Sequence, residues 1–437
     1  MTASPHGPQV DPDDDAPAIG ALARIEAWAL RAPIAVPVVT SFGTMRDRPA
    51  VVVRVTACDG AQGWGEVWCN FPGVGAEHRA RLLVDTVAPL ALQACGPTSA
   101  QALSAPSLWR HLSARLHVLA LQTGEAGPLA QCVAGVDQAC WDLVARRAGL
   151  PLWRMLADGR PAGRQATAAQ VRVYASGLHP EAVLDLVPRL LESGHRAFKM
   201  KVGFDPEADA RRLAELRRLV GDEVVLMVDA NQAWSVGQAE DRIRRLMPMR
   251  PLWVEEPIAA DQPWTQWSRL KQGLGPEAPL LAAGENLRGD EAFDGLIDAG
   301  AVQVVQPDIG KWGGLSGCRA VARRAEARGR VFCPHWLGGP IGLLGSMHLR
   351  AALGDTATGG AGRSPCEGMV EWDANAHPLH ERVAAQLPAR ELGHAQLGGG
   401  AGLAFDPGPL IVRRGREGWA DLVTWSGEIE GRPATPA

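Results

Sequence analysis

The chain has 437 residues, with 44 Lys plus Arg against 48 Asp plus Glu and a formal net charge of −4. This near-neutral balance provides no general field for nucleic acid or an anionic membrane surface. With 46% hydrophobic and 21% charged residues the composition is globular rather than disordered, and the length suggests roughly two to three domains.

Residues 1–20 are polar, acidic and rich in proline, and read as a disordered tail with no basic, apolar leader sequence. Residues 21–160 read as a mixed α+β unit. Ala50–Thr56 is a strand, Asp59-Gly60 a turn, and Gly63–Trp68 a second strand. Ala134–Ala148 has apolar residues at helical spacing and is stopped by Gly149 and Pro151. The longest uncharged run, near Thr86–Trp109, holds Pro89, Pro97 and Pro106 and is no bilayer span. The eight cysteines form no C-x-x-C pair, which points to reduced core residues rather than disulfides or zinc. A cytoplasmic protein with no membrane and no nucleic-acid partner is expected.

From residue 161 to 384 short apolar runs alternate with amphipathic stretches. The runs are Val171–Ala175, Ala197–Val202, Val224–Val228, Leu252–Val254, Leu280–Ala283, Val302–Val305, Val331–Cys333 and Met369–Val370. Segments such as Glu207–Leu219 and Gly237–Leu246 between them read as helices. Eight such βα units favour a (β/α)₈ barrel over an open doubly wound sheet. No G-x-G-x-x-G follows a strand, and no phosphate-binding G-x-x-x-x-G-K-[ST] is present. Residues 385–437 are expected to pack back on the first unit.

In such a barrel the chemistry gathers at the C-terminal strand ends. Here those ends carry Lys199 and Lys201, then Asp229 and Asn231, then Glu255, Glu285, Asp308 and His335. Asp229, Glu255 and Glu285 are 26 and 30 residues apart, one βα unit each, which would bring three carboxylates to one place. Their mutual repulsion calls for a cation or a bound proton. An all-oxygen set suits Mg²⁺, with Mn²⁺ as the alternative, better than zinc. Taken singly, each acid would be an ordinary solvated loop residue. Lys199 and Lys201 share one strand face and are expected to lower each other's pKa, fitting one as a general base. Asp308 lies one unit before His335, where its carboxylate could fix the imidazole tautomer.

These motifs resemble the enolase superfamily in its mandelate racemase branch. The matching residues are FKMKVG at Phe198–Gly203, VDANQAW at Val228–Trp234, VEEP at Val254–Pro257, GEN at Gly284–Asn286, QPD at Gln306–Asp308 with Gly313-Gly314, and PH at Pro334–His335. Ala134–Leu156 resembles the last helix of that family's cap, and Val370–Leu379 the stretch after its eighth strand. The resemblance implies an α+β capping domain over a modified TIM-type (β/α)₈ barrel. It also implies Mg²⁺ on Asp229, Glu255 and Glu285, and an enediolate formed by removal of the proton α to a substrate carboxylate. Lys201 would be the base on one face, with Lys199 near the carboxylate, and the His335–Asp308 dyad would serve the other face. Glu371 aligns with the acid that contacts the enediolate oxygen. Glu367 is its rival, because a Gly-rich insert at Gly354–Pro365 lies between His335 and Glu371.

The cap segments Val38–Arg48 and Trp68–His78 would close over the substrate. Their apolar side chains, Phe42, Met45, Trp68 and Phe71, suggest a smaller or less polar substrate than a hexarate. Arg46 and Arg48 could instead bind a second carboxylate, or seal the cap. The substrate contacts expected are Lys199, Asn231, Glu371, Arg46 and Trp68. The expected reaction is dehydration of an acid sugar or hydroxy acid to a 2-keto acid, a lyase reaction, with racemisation or epimerisation as the alternative, carried out by a homo-oligomer on a small carboxylate.

Overall fold

A computed structural model describes residues 16–40, 43–97, 99, 102–157, 169–354, 367–411 and 422–431. Phe42, most of the Gly354–Pro365 insert and residues 1–15 lie outside these. The N-terminal tail reading does not extend to Ile19, which is fully buried and donates its N–H to Leu103 O at 2.9 Å.

The cap is built on an antiparallel sheet of β1 (Leu22–Thr40), β2 (Gly43–Ala57) and β3 (Gln62–Val67), joined at the β1 edge by β14 (Val423–Glu430). Its helices are α1 (Gly75–Leu82), which runs through a π-helical turn at 83–87 into α2 (Ala88–Cys95), then α3 (Ala105–Thr123), α4 (Ala126–Arg147) and α5 (Leu152–Leu156). α4 is buried almost all round, as a helix sandwiched between layers must be. Gly63 and Gly65 let β3 lie directly on it. A Cβ at either glycine would stand 2.1 Å from the carbonyl oxygen of Ala139 or Gly135.

The eight runs become β4 (Ala169–Leu178), β5 (Ala197–Lys201), β6 (Val225–Asp229), β7 (Trp253–Glu255), β8 (Leu280–Ala283), β9 (Val304–Val305), β10 (Val331–Phe332) and β11 (Met369–Asp373). Between them run α6 (Val183–Glu192), α7 (Pro206–Val220), α8 (Val236–Leu246), α9 (Trp264–Leu274), α10 (Asp290–Ala299), α11 (Gly314–Ala327) and α12 (Pro340–Leu353). Parallel ladders link β4 to β10 in chain order, and β11 returns to pair with β4. The seam between β10 and β11 is crossed by Met369 N donating to Cys333 Sγ at 3.3 Å. The C-terminal segment divides. β12 (Arg390–Glu391) and β13 (His394–Leu397) extend the barrel sheet at β4, and β14 extends the cap sheet.

One side chain from each strand fills the barrel interior: Tyr174, Ala197, Met227, Trp253, Ala282, Val304, Val331 and Met369. Strand side chains alternate with period two, so the next residues on that inward face are Ser176, Lys199 and Lys201, Asp229, Glu255, Gln306, Cys333 and Glu371. The buried layer that fills the barrel thus continues directly into the polar strand ends.

Candidate active site

The strand ends and the cap meet in a cleft lined by Lys201, Asp229, Asn231, Glu285, Lys311, His335 and Glu371 from the barrel and Trp68, Asn70 and Phe71 from the cap. Asp229 and Glu255 are register partners on β6 and β7. Glu285 needs a break in phase, because Ala282 already faces inward. Gly284 supplies it with φ 141°, at a spot where a Cβ would stand 2.8 Å from Gln306 N.

Among the described residues no three His, Cys, Asp or Glu side chains are drawn into a ready-made metal cage. Each carboxylate is met by a cation of the chain instead. Lys199 Nζ is 2.6 Å from Glu255 Oε1, Lys201 Nζ is 3.4 Å from Asp229 Oδ2, and Lys311 Nζ is 3.1 Å from Glu285 Oε1. Even so, the negative charge is not fully relieved. Burial, with repulsion from Asp229, Glu371 and Glu285, pushes Glu255 up to about 7 despite Lys199. Burial and the charges of Glu285 and Asp229 push Glu256 up to about 8. Three hard oxygen donors under mutual repulsion on adjacent strand ends suit a divalent ion such as Mg²⁺.

Lys199 does not take the lowered pKa expected from its neighbour Lys201. Burial works in that direction, but Glu255 and Glu371, the latter at 2.9 Å, hold the ammonium well above the ordinary lysine range. Those acids arrive from β7 and β11 and outweigh the adjacent lysine. Lys201 Nζ donates to Asn231 Oδ1 at 2.5 Å, and Asn231 N donates to Asp229 Oδ1 at 2.8 Å.

Across the cleft, His335 Nδ1 lies 2.6 Å from Asp308 Oδ2. The other Asp308 oxygen accepts the N–H groups of Gly310 and Lys311 at 2.7 and 3.0 Å. The imidazole Nε2 is 2.8 Å from Glu285 Oε2 and 3.6 Å from Glu371 Oε2. Burial opposes a charged imidazole, yet Glu285, Glu371 and Asp308 raise its pKa well above the usual range.

Of the two rival acids, Glu371 is 2% exposed and sits among Ser176, Lys199 and the Trp336 N–H. Glu367 is exposed and paired with Arg172 at 2.7 Å. Trp68 lines the cleft and its buried indole N–H has no hydrogen-bond partner among the described residues. Arg46 is not brought in. The β2 alternation buries Met45 and turns Arg46 to solvent, and it is absent from the cleft lining. Arg48 is spent on Asp373 at 2.8 Å, a cap-to-barrel contact.

Sequence reasoning missed Lys311, whose ammonium also lies 4.9 Å over the Trp68 ring. It likewise missed the neutral lining residues Asn70, Ser176 and Asn375. For Lys311 a signal existed: a lone lysine three residues after a strand-end aspartate.

Residues 24–157 match the family model of the mandelate racemase/muconate lactonizing enzyme N-terminal domain, and residues 182–408 that of the enolase C-terminal domain-like family. A 3,6-anhydro-alpha-L-galactonate cycloisomerase from Streptomyces coelicolor is 33% identical over 301 residues, 68% of this chain and 77% of that protein. A mandelate racemase/muconate lactonizing enzyme structure from Bordetella bronchiseptica superposes with TM-score 0.76 at 43% identity, covering 89% of this chain and 97% of that one. A racemase structure from Streptomyces coelicolor with bound magnesium gives TM-score 0.71 at 27% identity over 88% and 96%.

Proposed function

This chain belongs to the mandelate racemase/muconate lactonizing enzyme family of the enolase superfamily, and we propose that it removes the proton α to the carboxylate of an acid sugar and expels the oxygen on the β carbon, giving a 2-keto acid. The observation that carries this reading is the convergence of Lys201 and the His335–Asp308 dyad on one cleft with the strand-end carboxylates. Asp229, Glu255 and Glu285 would hold Mg²⁺, with Mn²⁺ as the alternative ion. When bound, the ion supplies positive charge where negative charge develops on the substrate carboxylate.

Lys201, in its neutral form, accepts the α-proton at Nζ, aimed by Asn231. The C–O bond at the β carbon then breaks with its electron pair passing to oxygen, and His335 Nε2 delivers a proton to that oxygen. Asp308 holds the Nδ1 proton throughout. Lys199 and Glu371 face the carboxylate end, and the resulting enol tautomerises to the keto acid. The cap loop with Trp68 limits water access.

The nature of the leaving oxygen decides the reaction class. A free hydroxyl departs as water, which makes the enzyme a dehydratase. A ring ether stays tethered, so the same two proton transfers open a ring and the net change is an isomerisation. The cycloisomerase relative is named for a 3,6-anhydro acid, in which the oxygen at carbon 3 is β to the carboxylate carbon. We read this chain as a β-eliminating enzyme for sugar monoacids, because Arg46 faces solvent and Arg48 is committed to Asp373.

Racemisation or epimerisation is the second reading, favoured by the presence of acid–base groups on both sides of the cleft. Incubation with Mg²⁺ and a panel of sugar monoacids, anhydro sugar acids and sugar diacids, with 2-keto acid measured, tests the proposal. Keto acid from a monoacid is the expected result. Exchange of the α-proton in D₂O with the β oxygen retained would favour the racemase. Keto acid from diacids alone would overturn the monoacid assignment.

A further inference from the structure

Asp308 and His335 lie on loops just past the ends of β9 and β10, where they face each other across a single isolated parallel bridge, with His335 N donating to Pro307 O at 3.2 Å. The ladder between β9 and β10 is two residue pairs long, Val304 to Val331 and Val305 to Phe332. Both loops are gripped by the cap through one buried unit. Gln138, on α4, is 2% exposed and donates its Nε2 to Ile309 O, the residue after Asp308, at 2.9 Å. The same amide donates to Glu66 O at 2.9 Å and accepts Glu66 N at 3.3 Å.

Glu66, on β3, is 1% exposed. Its carboxylate accepts the backbone N–H groups of Gly339, Ile341 and Gly342 at 2.5, 3.1 and 3.1 Å. These are the donors at the start of α12, where an anion is favoured. From there the grip passes to the dyad through Trp336, next to His335. Its indole N–H donates to Gly339 O at 2.9 Å. Its ring fills the space where Cβ atoms on Gly310, Gly338 and Gly342 would stand, 2.7, 2.6 and 2.0 Å away.

A cap that only covered the cleft would need no buried carboxylate here, since helix starts are ordinarily capped by a nearby residue of their own chain segment. The reach from β3 makes sense if the two loops must be held to each other. We infer that Glu66 and Gln138 are positioning residues for the His335–Asp308 pair, fixing the two dyad loops in register from the cap. Neither touches the reacting atoms. The inference rests on reading His335 as an acid–base group, but its geometry can be tested without turnover.

The test is proton NMR of the full chain with Mg²⁺, prepared with nitrogen-15-labelled histidine. The His335 Nδ1–H, shared with Asp308, gives a far-downfield resonance that disappears in His335→Asn. The expected result is loss of that resonance in Glu66→Ala and in Gln138→Leu, and a shifted but retained resonance in Glu66→Gln, which keeps one carbonyl acceptor. Arg48→Lys, which disturbs the cap contact at Asp373 instead, should leave it in place. Circular dichroism checks that each variant is folded, and Glu66→Gln and Gln138→Leu decide the matter if Glu66→Ala does not fold. An unmoved resonance in the folded variants overturns the inference. So does a parent enzyme with no His335 resonance, because a clamped dyad holds its proton. Loss of the resonance without keto-acid production from any substrate would count against the proposed reaction and leave the clamp standing.

Discussion

His335 Nδ1 stands 2.6 Å from the Asp308 carboxylate, and the other Asp308 oxygen is already held by two backbone N–H groups. The aspartate is therefore fixed before any substrate arrives, and it leaves the imidazole Nε2 facing the cleft. If this nitrogen protonates the leaving oxygen, His335→Asn should lower turnover by about 10²–10⁴-fold, the usual worth of a general acid. Exchange of the α-proton with D₂O should persist, because Lys201 is untouched. Lys201→Ala should lose both. NMR of the recovered substrate separates the outcomes, and retained exchange in Lys201→Ala would reassign the base.

The proposed ion site depends on one glycine. Gly284 has φ 141° and the Gln306 backbone within 2.8 Å of where a Cβ would stand. Gly284→Ala must displace either β9 or Glu285, at a strain cost of about 1–3 kcal/mol. We expect Mg²⁺ affinity, measured by calorimetry, to fall at least about tenfold, as loss of one well-placed ligand would cause. Gly60→Ala is the control, since Gly60 has φ 84° but nothing within 4 Å. It should lose stability while binding Mg²⁺ normally.

Glu66 also predicts a pH dependence. Burial outweighs its three backbone donors and pushes the carboxyl from 4.5 up to about 7. Between those values the folded chain holds a proton that the unfolded chain releases. The stability linked to this group is therefore full below pH 4.5 and is lost as pH rises through about 7. The loss is about 3 kcal/mol by linkage. Glu66→Gln cannot titrate, so its denaturation midpoint should fall less steeply than the parent's over that window. Parallel pH profiles would contradict the raised pKa.

The strand ends were legible because period two carries the inward face of each strand from apolar to ionisable residues. Trp253 leads to Glu255 and Met227 to Asp229 in this way. β1 was not legible. Its buried face, Ile25, Ala27 and Ala29, is mostly alanine, too weakly apolar to mark a strand beside Arg24 and Glu26. Lys311 and the high pKa of Lys199 were hidden for another reason. Their meaning depends on Glu285, Trp68 and Glu371, partners from other strands or from the cap. The Glu66–Gln138 clamp likewise joins residues 72 positions apart and then reaches the barrel.

Arg46 and Arg48 stand two residues apart and should behave oppositely. Arg48 is 2% exposed, and its Nη2 lies 2.8 Å from a fully buried Asp373 oxygen as an ion pair rather than an aligned hydrogen bond. Its Nε donates to Ala376 O at 3.1 Å. Removing one partner of a buried pair leaves the other charge stranded, at a cost of about 3–5 kcal/mol. Arg48→Ala should therefore lower the denaturant midpoint sharply. It should also lower activity, because Asp373 Oδ1 accepts from Asn375, which lines the cleft. Arg46 is exposed on β2, and Arg46→Ala should change stability by no more than about 0.5 kcal/mol and leave KM for a sugar monoacid unchanged. A severalfold rise in that KM would place Arg46 at the substrate and reopen the case for a second carboxylate.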